Sequence, residues 1–242
     1  MLAIGGAVLA CNQIVGVEDV RLRGTGSRPD SGSSGSDPDP DPDPGPEPGP
    51  DPEPAPDAGT GCGDNLACTR YVFLTSGVFD GKLGGLAGAD ALCTTAAQRN
   101  PLIAKRVFHA WLSDATKNVN DATRFRRGTR PYIRIDGSNF AASFSQITSS
   151  ALANPLNIDE SGNALTGATG SPALSVWTAT SASTGNAYNG FSCNNWTTNG
   201  STAAGAFGDS GSKTSTWTEQ FVDSEVSSSL CTSQKHLYCI EF

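Results

Sequence analysis

The side chains able to do chemistry in this chain fall into a few groups, and each has an ordinary reading beside a functional one. Arg124, Arg126, Arg127, Arg130 and Arg134 crowd one short stretch, with Phe125 and Tyr132 between them. A guanidinium is a planar fork of donors that matches sulfate, phosphate or carboxylate, so the cluster suits a polyanion. The ordinary reading is a solvated loop, or pairing with Asp114, Asp121 and Asp136. Asp159, Glu160 and Asn163 form the one dense oxygen cluster in a long polar stretch. Calcium takes roughly six to eight oxygens, several from carboxylates, and this set is a weak candidate for it. A polar turn around Ser161-Gly162 is the ordinary alternative.

Gly208-Asp209-Ser210-Gly211 has the pattern found around a protease nucleophile, and His109 precedes it in an order that a triad can use. The context argues against that chemistry. His109 sits in an apolar run, and a Gly/Ser-rich loop meets the four-residue pattern easily, so His109 is expected in the core or at a strand edge. His109 and His236 are the only histidines. With the cysteines bridged, too few ligands remain for zinc, and no catalytic set is assigned. Trp111, Trp177, Trp196 and Trp217 have faces that suit sugar rings, although tryptophan is more often core. Trp196 joins Arg124, Arg126, Arg127 and Arg130 as the candidate ligand set.

The elements that must position these groups are short. Tyr71–Thr75 reads as a strand, rich in β-branched and aromatic residues ahead of a Ser-Gly turn. Leu86–Gln98 reads as a helix, because Ala89, Leu92, Cys93, Ala96 and Ala97 repeat on one face. Asn100-Pro101 ends it. Val107–Leu112, Tyr132–Ile135, Val176–Ala179, Ser215–Thr218 and Leu237–Phe242 are further strand candidates. Residues 138–175 show little periodicity and read as long loops with one helical turn. The sum is an α+β domain with a helix early, a sheet at the end and loops between, without βαβ alternation.

Charge is distributed unevenly. The formal net charge is −8, but residues 62–242 carry 13 acidic and 13 basic side chains, so the folded part is neutral. A neutral domain argues against nucleic acid as a partner, since phosphate neutralisation needs a basic excess. Between Asp30 and Thr60 lie nine acidic residues among Asp-Pro, Glu-Pro and Gly-Pro repeats, with no Lys or Arg. Proline removes donors and the carboxylates repel, so this stretch is expected to stay extended. It would reach on the order of 100 Å if fully stretched.

The segment Val8-Leu9-Ala10-Cys11 resembles a bacterial lipobox, in which the cysteine is lipidated. That resemblance implies a signal segment over residues 1–11, a Pro/Asp-rich tether over 12–61 and a folded domain over 62–242. Asn12 after the cysteine implies the outer membrane or cell surface, reached through the lipid. Setting Cys11 aside leaves Cys62, Cys68, Cys93, Cys193, Cys231 and Cys239, an even set that reads as a disulfide framework in an exported protein. Spacing alone leaves all their pairings open.

A helix-borne Cys93, the Cys193-Asn194-Asn195-Trp196 segment, Cys231 and the closing Leu237-Tyr238-Cys239-Ile240-Glu241 together resemble the C-type-lectin-like fold, in its endostatin-like branch. Phe79–Cys93, Phe108–Asp114 and Asn154–Ile158 resemble a family of uncharacterised bacterial exported lipoproteins with an endostatin-like domain. The resemblance covers roughly residues 69–242. It implies Cys93–Cys239 and Cys193–Cys231 bridges, leaving Cys62 for Cys68. The Glu-Pro-Asn, Gln-Pro-Asp and Trp-Asn-Asp signatures of calcium-dependent sugar binding are absent. The function expected is therefore a surface-anchored, non-enzymatic binding module for a glycan or an extracellular protein, met through residues 136–175 and 186–215. A structural envelope protein without a soluble ligand is the alternative, and an enzyme built on a lectin-like fold with free cysteines is a third.

Overall fold

A computed structural model describes residues 69–168, 171–222 and 225–242. Cys11, Cys62, Cys68 and the Pro/Asp-rich stretch lie outside the described residues.

The organising element is β1, Arg70–Leu74. Every residue of it is buried, because alternate side chains serve two different cores. Tyr71 and Phe73 point to one, and Val72 and Leu74 to the other. Such a strand reads as a continuous apolar run, which is how Tyr71–Leu74 appears. β1 lies at the centre of a five-stranded sheet of order β2-β10-β1-β3-β4. The other strands of the sheet are β2 (Phe108–Ala110), β3 (Tyr132–Arg134), β4 (Asn139–Ala141) and β10 (Tyr238–Glu241), of which β3 and β10 flank β1. β10 pairs antiparallel with both β1 and β2, and β1 runs parallel to β3. The sheet therefore joins both ends of the described chain. The expectation of a sheet confined to the end is corrected: the parallel β1–β3 pair brings the first strand into it.

α1, Gly85–Ala97, covers one face. Ala89, Cys93, Ala96 and Ala97 are buried as their spacing requires, while Leu92 is half-buried. Small side chains let the helix lie close to β2, and the Cys93–Cys239 disulfide fastens it to β10. The opposite face carries Trp111, Phe125, Phe140, Phe144, Trp217 and Tyr238. Trp217 sits 5.1 Å from Trp111 and 5.0 Å from Tyr238, ring centroid to centroid.

A second sheet has the order β5-β6-β9, from β5 (Ser175–Trp177), β6 (Ala204–Asp209) and β9 (Ser228–Leu230). β7 (Phe221–Val222) and β8 (Glu225–Val226) pair antiparallel in a small two-stranded sheet. A second disulfide joins Cys193 to Cys231. The described residues thus form a mixed α+β structure with few helices, open sheets and two bridged cysteine pairs.

Three local expectations are revised. Ser215–Trp217 is a 3-10 turn rather than a strand; it buries the Trp217 indole, whose Nε1 donates to Ser150 Oγ at 3.2 Å. The stretch 138–175 holds its expected helical turn as the short helix α2 (Phe144–Thr148), but adds the strand β4 to its loops. β6 lies where a loop was expected. Its glycines hid it, and they are there for close approach. A Cβ on Gly205 would come within 2.8 Å of both Cys193 Sγ and the Trp177 ring.

Candidate functional site

The arginine-rich segment between β2 and β3 has no regular secondary structure, so its shape comes from side-chain anchors. Asp121 Oδ1 accepts from the Thr123 backbone N–H at 2.8 Å and from its hydroxyl at 2.7 Å, closing a tight turn. Those two bonds to the charged form hold the Asp121 carboxyl below its usual range. The next two residues turn inward. Arg124 is buried, grips Asp90 of α1 with both terminal nitrogens and donates to Ala110 O at 2.7 Å. Phe125 is buried 5.4 Å from Trp111 and stacks on Phe144 at 6.0 Å. With 124 and 125 riveted to the core, Arg126 and Arg127 face solvent.

This splits the predicted ligand set. Arg124 is a fold residue: its guanidinium answers a carboxylate on another element. Trp196 is corrected likewise. It is fully buried, its Nε1 donates to Ser113 O at 3.0 Å, and its ring lies 5.9 Å from Trp177, so no face is open to a sugar. The other three tryptophans are buried too. Arg134 turns away to Asp136 and Pro155 O.

Arg126, Arg127 and Arg130 instead converge on a pocket of about 330 Å³, together with Arg70, Ala122 and Phe125. Arg70 was not legible as a site residue, because it lies 56 positions before Arg126. The one signal was a charged residue opening an otherwise apolar strand. Its Nη1 donates to Arg126 O at 2.7 Å and to the Tyr132 hydroxyl at 2.8 Å. Burial pushes that tyrosine's pKa up, so it stays a neutral acceptor there. The Arg126 guanidinium lies over the ring of Phe242, 4.9 Å from its centroid. Arg127 donates to the Asn120 carbonyl.

Residues 69–242 contain eight arginines. Arg99, Arg106, Arg124 and Arg134 each hold a carboxylate. Arg70, Arg126, Arg127 and Arg130 hold none among the described residues, and these four are the ones that line the pocket. Like charges held together with no counterion repel, and a bound anion relieves that repulsion.

The other candidate groups are occupied by the fold. Asp159 Oδ1 accepts from the N–H groups of Ser161 and Asn163 at 2.8 Å each, and its Oδ2 receives Asn163 Nδ2 at 3.3 Å. Glu160 accepts from the Ser76 N–H and hydroxyl and pairs with Arg99 at 2.9 Å. The three predicted calcium ligands thus close a turn and tie β1 to the end of α1. Among the described residues no group of three or more His, Cys, Asp or Glu side chains is arranged to hold a metal. The triad pattern is not assembled: His109 Nδ1 meets Arg124 O at 2.6 Å, its ring stacks on Phe242, and the buried Ser210 Oγ has no hydrogen-bond partner among the described residues. The four described cysteines are all in disulfides.

No protein-family model matches the chain, and no curated protein matches it either.

Proposed function

We propose that the protein is a surface-tethered binding module whose lectin-like domain takes an anionic glycan, one bearing sulfate or phosphate, on the pocket of Arg70, Arg126, Arg127 and Arg130. One observation carries this reading: among the described residues, the four arginines without a carboxylate are the four that share a pocket. Guanidinium forks bind tetrahedral oxyanions through paired, charge-assisted hydrogen bonds. The Phe242 ring beneath Arg126 adds apolar surface of the kind that sugar faces prefer. The lectin-like assignment is supported by the early helix bridged to the closing strand and by the pairing of that strand with β1. The anchor at Cys11 and the acidic Pro-rich tether would hold the domain away from the membrane, where a glycan on another surface is within reach.

A glycan array probed with the full chain carrying Cys11→Ser tests the reading. Sulfated or phosphorylated glycans should bind and their neutral counterparts should not. Binding should weaken as salt rises, persist in a chelator and vanish in an Arg126→Ala/Arg130→Ala variant. Folded protein that ignores every anionic glycan overturns the proposal.

A further inference from the structure

The arginine pocket has a neighbour. A second pocket, of about 260 Å³, is lined by Asn120, Ser143, Ser145, Thr148 and Phe144 among others, and Arg127 lines both. The two have different chemistry. The first is dominated by guanidinium groups, and the second offers hydroxyls and one amide around an aromatic side chain. They are joined beneath: Phe125 lines the first, Phe144 lines the second, and the two buried rings stack at 6.0 Å with 29° between their planes. The shared wall is braced, since Arg127 donates to the Asn120 carbonyl and Gly128 O accepts from the Phe144 N–H at 3.4 Å. Taken singly, each pocket lies at or near the lower limit of ligand clefts, about 300 Å³, and together they pass it comfortably.

Resting on the anionic-glycan reading, we infer that these pockets are two lobes of one subsite for a sugar pair: an acidic residue seated on Arg70, Arg126 and Arg130, and a neutral neighbour in the hydroxyl-lined lobe, with Arg127 between them. A neutral pyranose has hydroxyls around its edge and C–H groups on its face. A lobe with hydroxyls at its rim matches that edge. An ion-only site would need no such lobe. A long uniform polyanion would put charge there, where no second arginine cluster waits.

The test is calorimetric titration of the full chain carrying Cys11→Ser with a sulfated monosaccharide, the same sulfated residue linked to a neutral sugar, and the unsulfated pair. A phosphorylated set runs in parallel, and the expectation is the same for either anion. The charged pair should bind about tenfold tighter than the charged monosaccharide, the worth of one or two net hydrogen bonds. The neutral pair should not bind measurably. Ser145 is exposed. Ser145→Tyr should fill the second lobe and abolish the tenfold gain, leaving monosaccharide affinity and Tm unchanged. Equal affinity for pair and monosaccharide, or a pair that binds Ser145→Tyr as tightly as the unaltered chain, overturns the two-lobe inference and leaves the anion site standing. Absence of binding by any charged sugar removes both.

Discussion

Two irregular regions of this molecule hold their shape by opposite means. Residues 111–131 carry no strand, helix or disulfide, and are fixed by a buried ion pair and a buried phenyl ring: Arg124 on Asp90, and Phe125 between Trp111 and Phe144. Residues 190–203 are fixed covalently, through Cys193–Cys231, and at a conformational cost. Cys193, Asn194, Asn195 and Trp196 all have positive φ, 49° to 61°, a left-handed turn built from non-glycine residues. Ser192 Oγ accepts from the Asn195 N–H at 3.3 Å, and Asn195 Oδ1 accepts from the Ala115 N–H at 3.1 Å. The covalent region engages its polar groups, within itself at Ser192 and across to Ala115 of the other region. The non-covalent one buries two side chains and leaves the next two without a carboxylate among the described residues. A loop held from within by neighbours 124 and 125 can afford exposed charge at 126 and 127, and that makes it the better place for a ligand.

The sharpest way to break the contrast is Cys193→Ala with Cys231→Ala. Their separation of 38 residues makes the bridge worth about 4 kcal/mol on the chain-entropy model, read as a fall in urea-unfolding free energy. Anion binding should survive wherever the variant is folded. Asp90→Ala should cost about 3 kcal/mol, because it strands a buried guanidinium, and should also abolish anion binding. If Asp90→Ala keeps full affinity, the loop does not depend on its rivet.

A pH series separates another pair of groups. Lys235 has no acidic partner among the described residues; its ammonium lies 3.9 Å from the Phe207 ring centroid and 5.1 Å from that of Trp177, and burial pulls its pKa down to about 8. Between pH 8 and 10 the unfolded chain holds the proton that the folded chain has released. Stability therefore rises with pH there, by on the order of 2 kcal/mol for this residue, relative to Lys235→Met. Tyr188 has the opposite sign. Burial and its hydrogen bond to Glu219 push it up to about 12, so its contribution is complete below pH 10 and is lost as pH climbs toward 12. Unfolding curves of Lys235→Met and Tyr188→Phe across pH 7 to 11 check both slopes.

The smaller effects test the left-handed turn and the free arginines. Asn194→Val should cost about 2 kcal/mol, because a β-branched residue resists φ 52°, while Asn194→Gly should be neutral within about 0.5 kcal/mol. Arg126→Ala and Arg127→Ala should each change stability by less than about 0.5 kcal/mol, since both are exposed and neither pairs with a carboxylate among the described residues. A larger loss on thermal unfolding would make them structural.

Strand β1, helix α1 and strand β10 are legible in the sequence because each buries a regular pattern: a two-faced apolar run, a helical stripe of small residues and a closing Tyr-Cys-Ile. β6 is not, since Gly205 and Gly208 carry no pattern and serve the packing of Trp177 and Trp217. In the site, the density of arginines is visible, but Arg124 and Arg126 look alike two positions apart. Their fates diverge because Asp90, 34 residues upstream, sits beneath one and not the other.

The sequence alone determined what is local or conserved in sum: the neutral charge of the domain, the apolar periods of its principal elements and the arginine-rich run. Folding decided what depends on partners remote in the chain. It brought Arg70 to a loop 56 residues away, set the Phe242 ring under Arg126 and closed off Trp196. The physical reason is that hydrophobic patterning acts over neighbouring residues, whereas the pairing or isolation of a charge depends on which groups the packed chain carries to within a few ångströms of it.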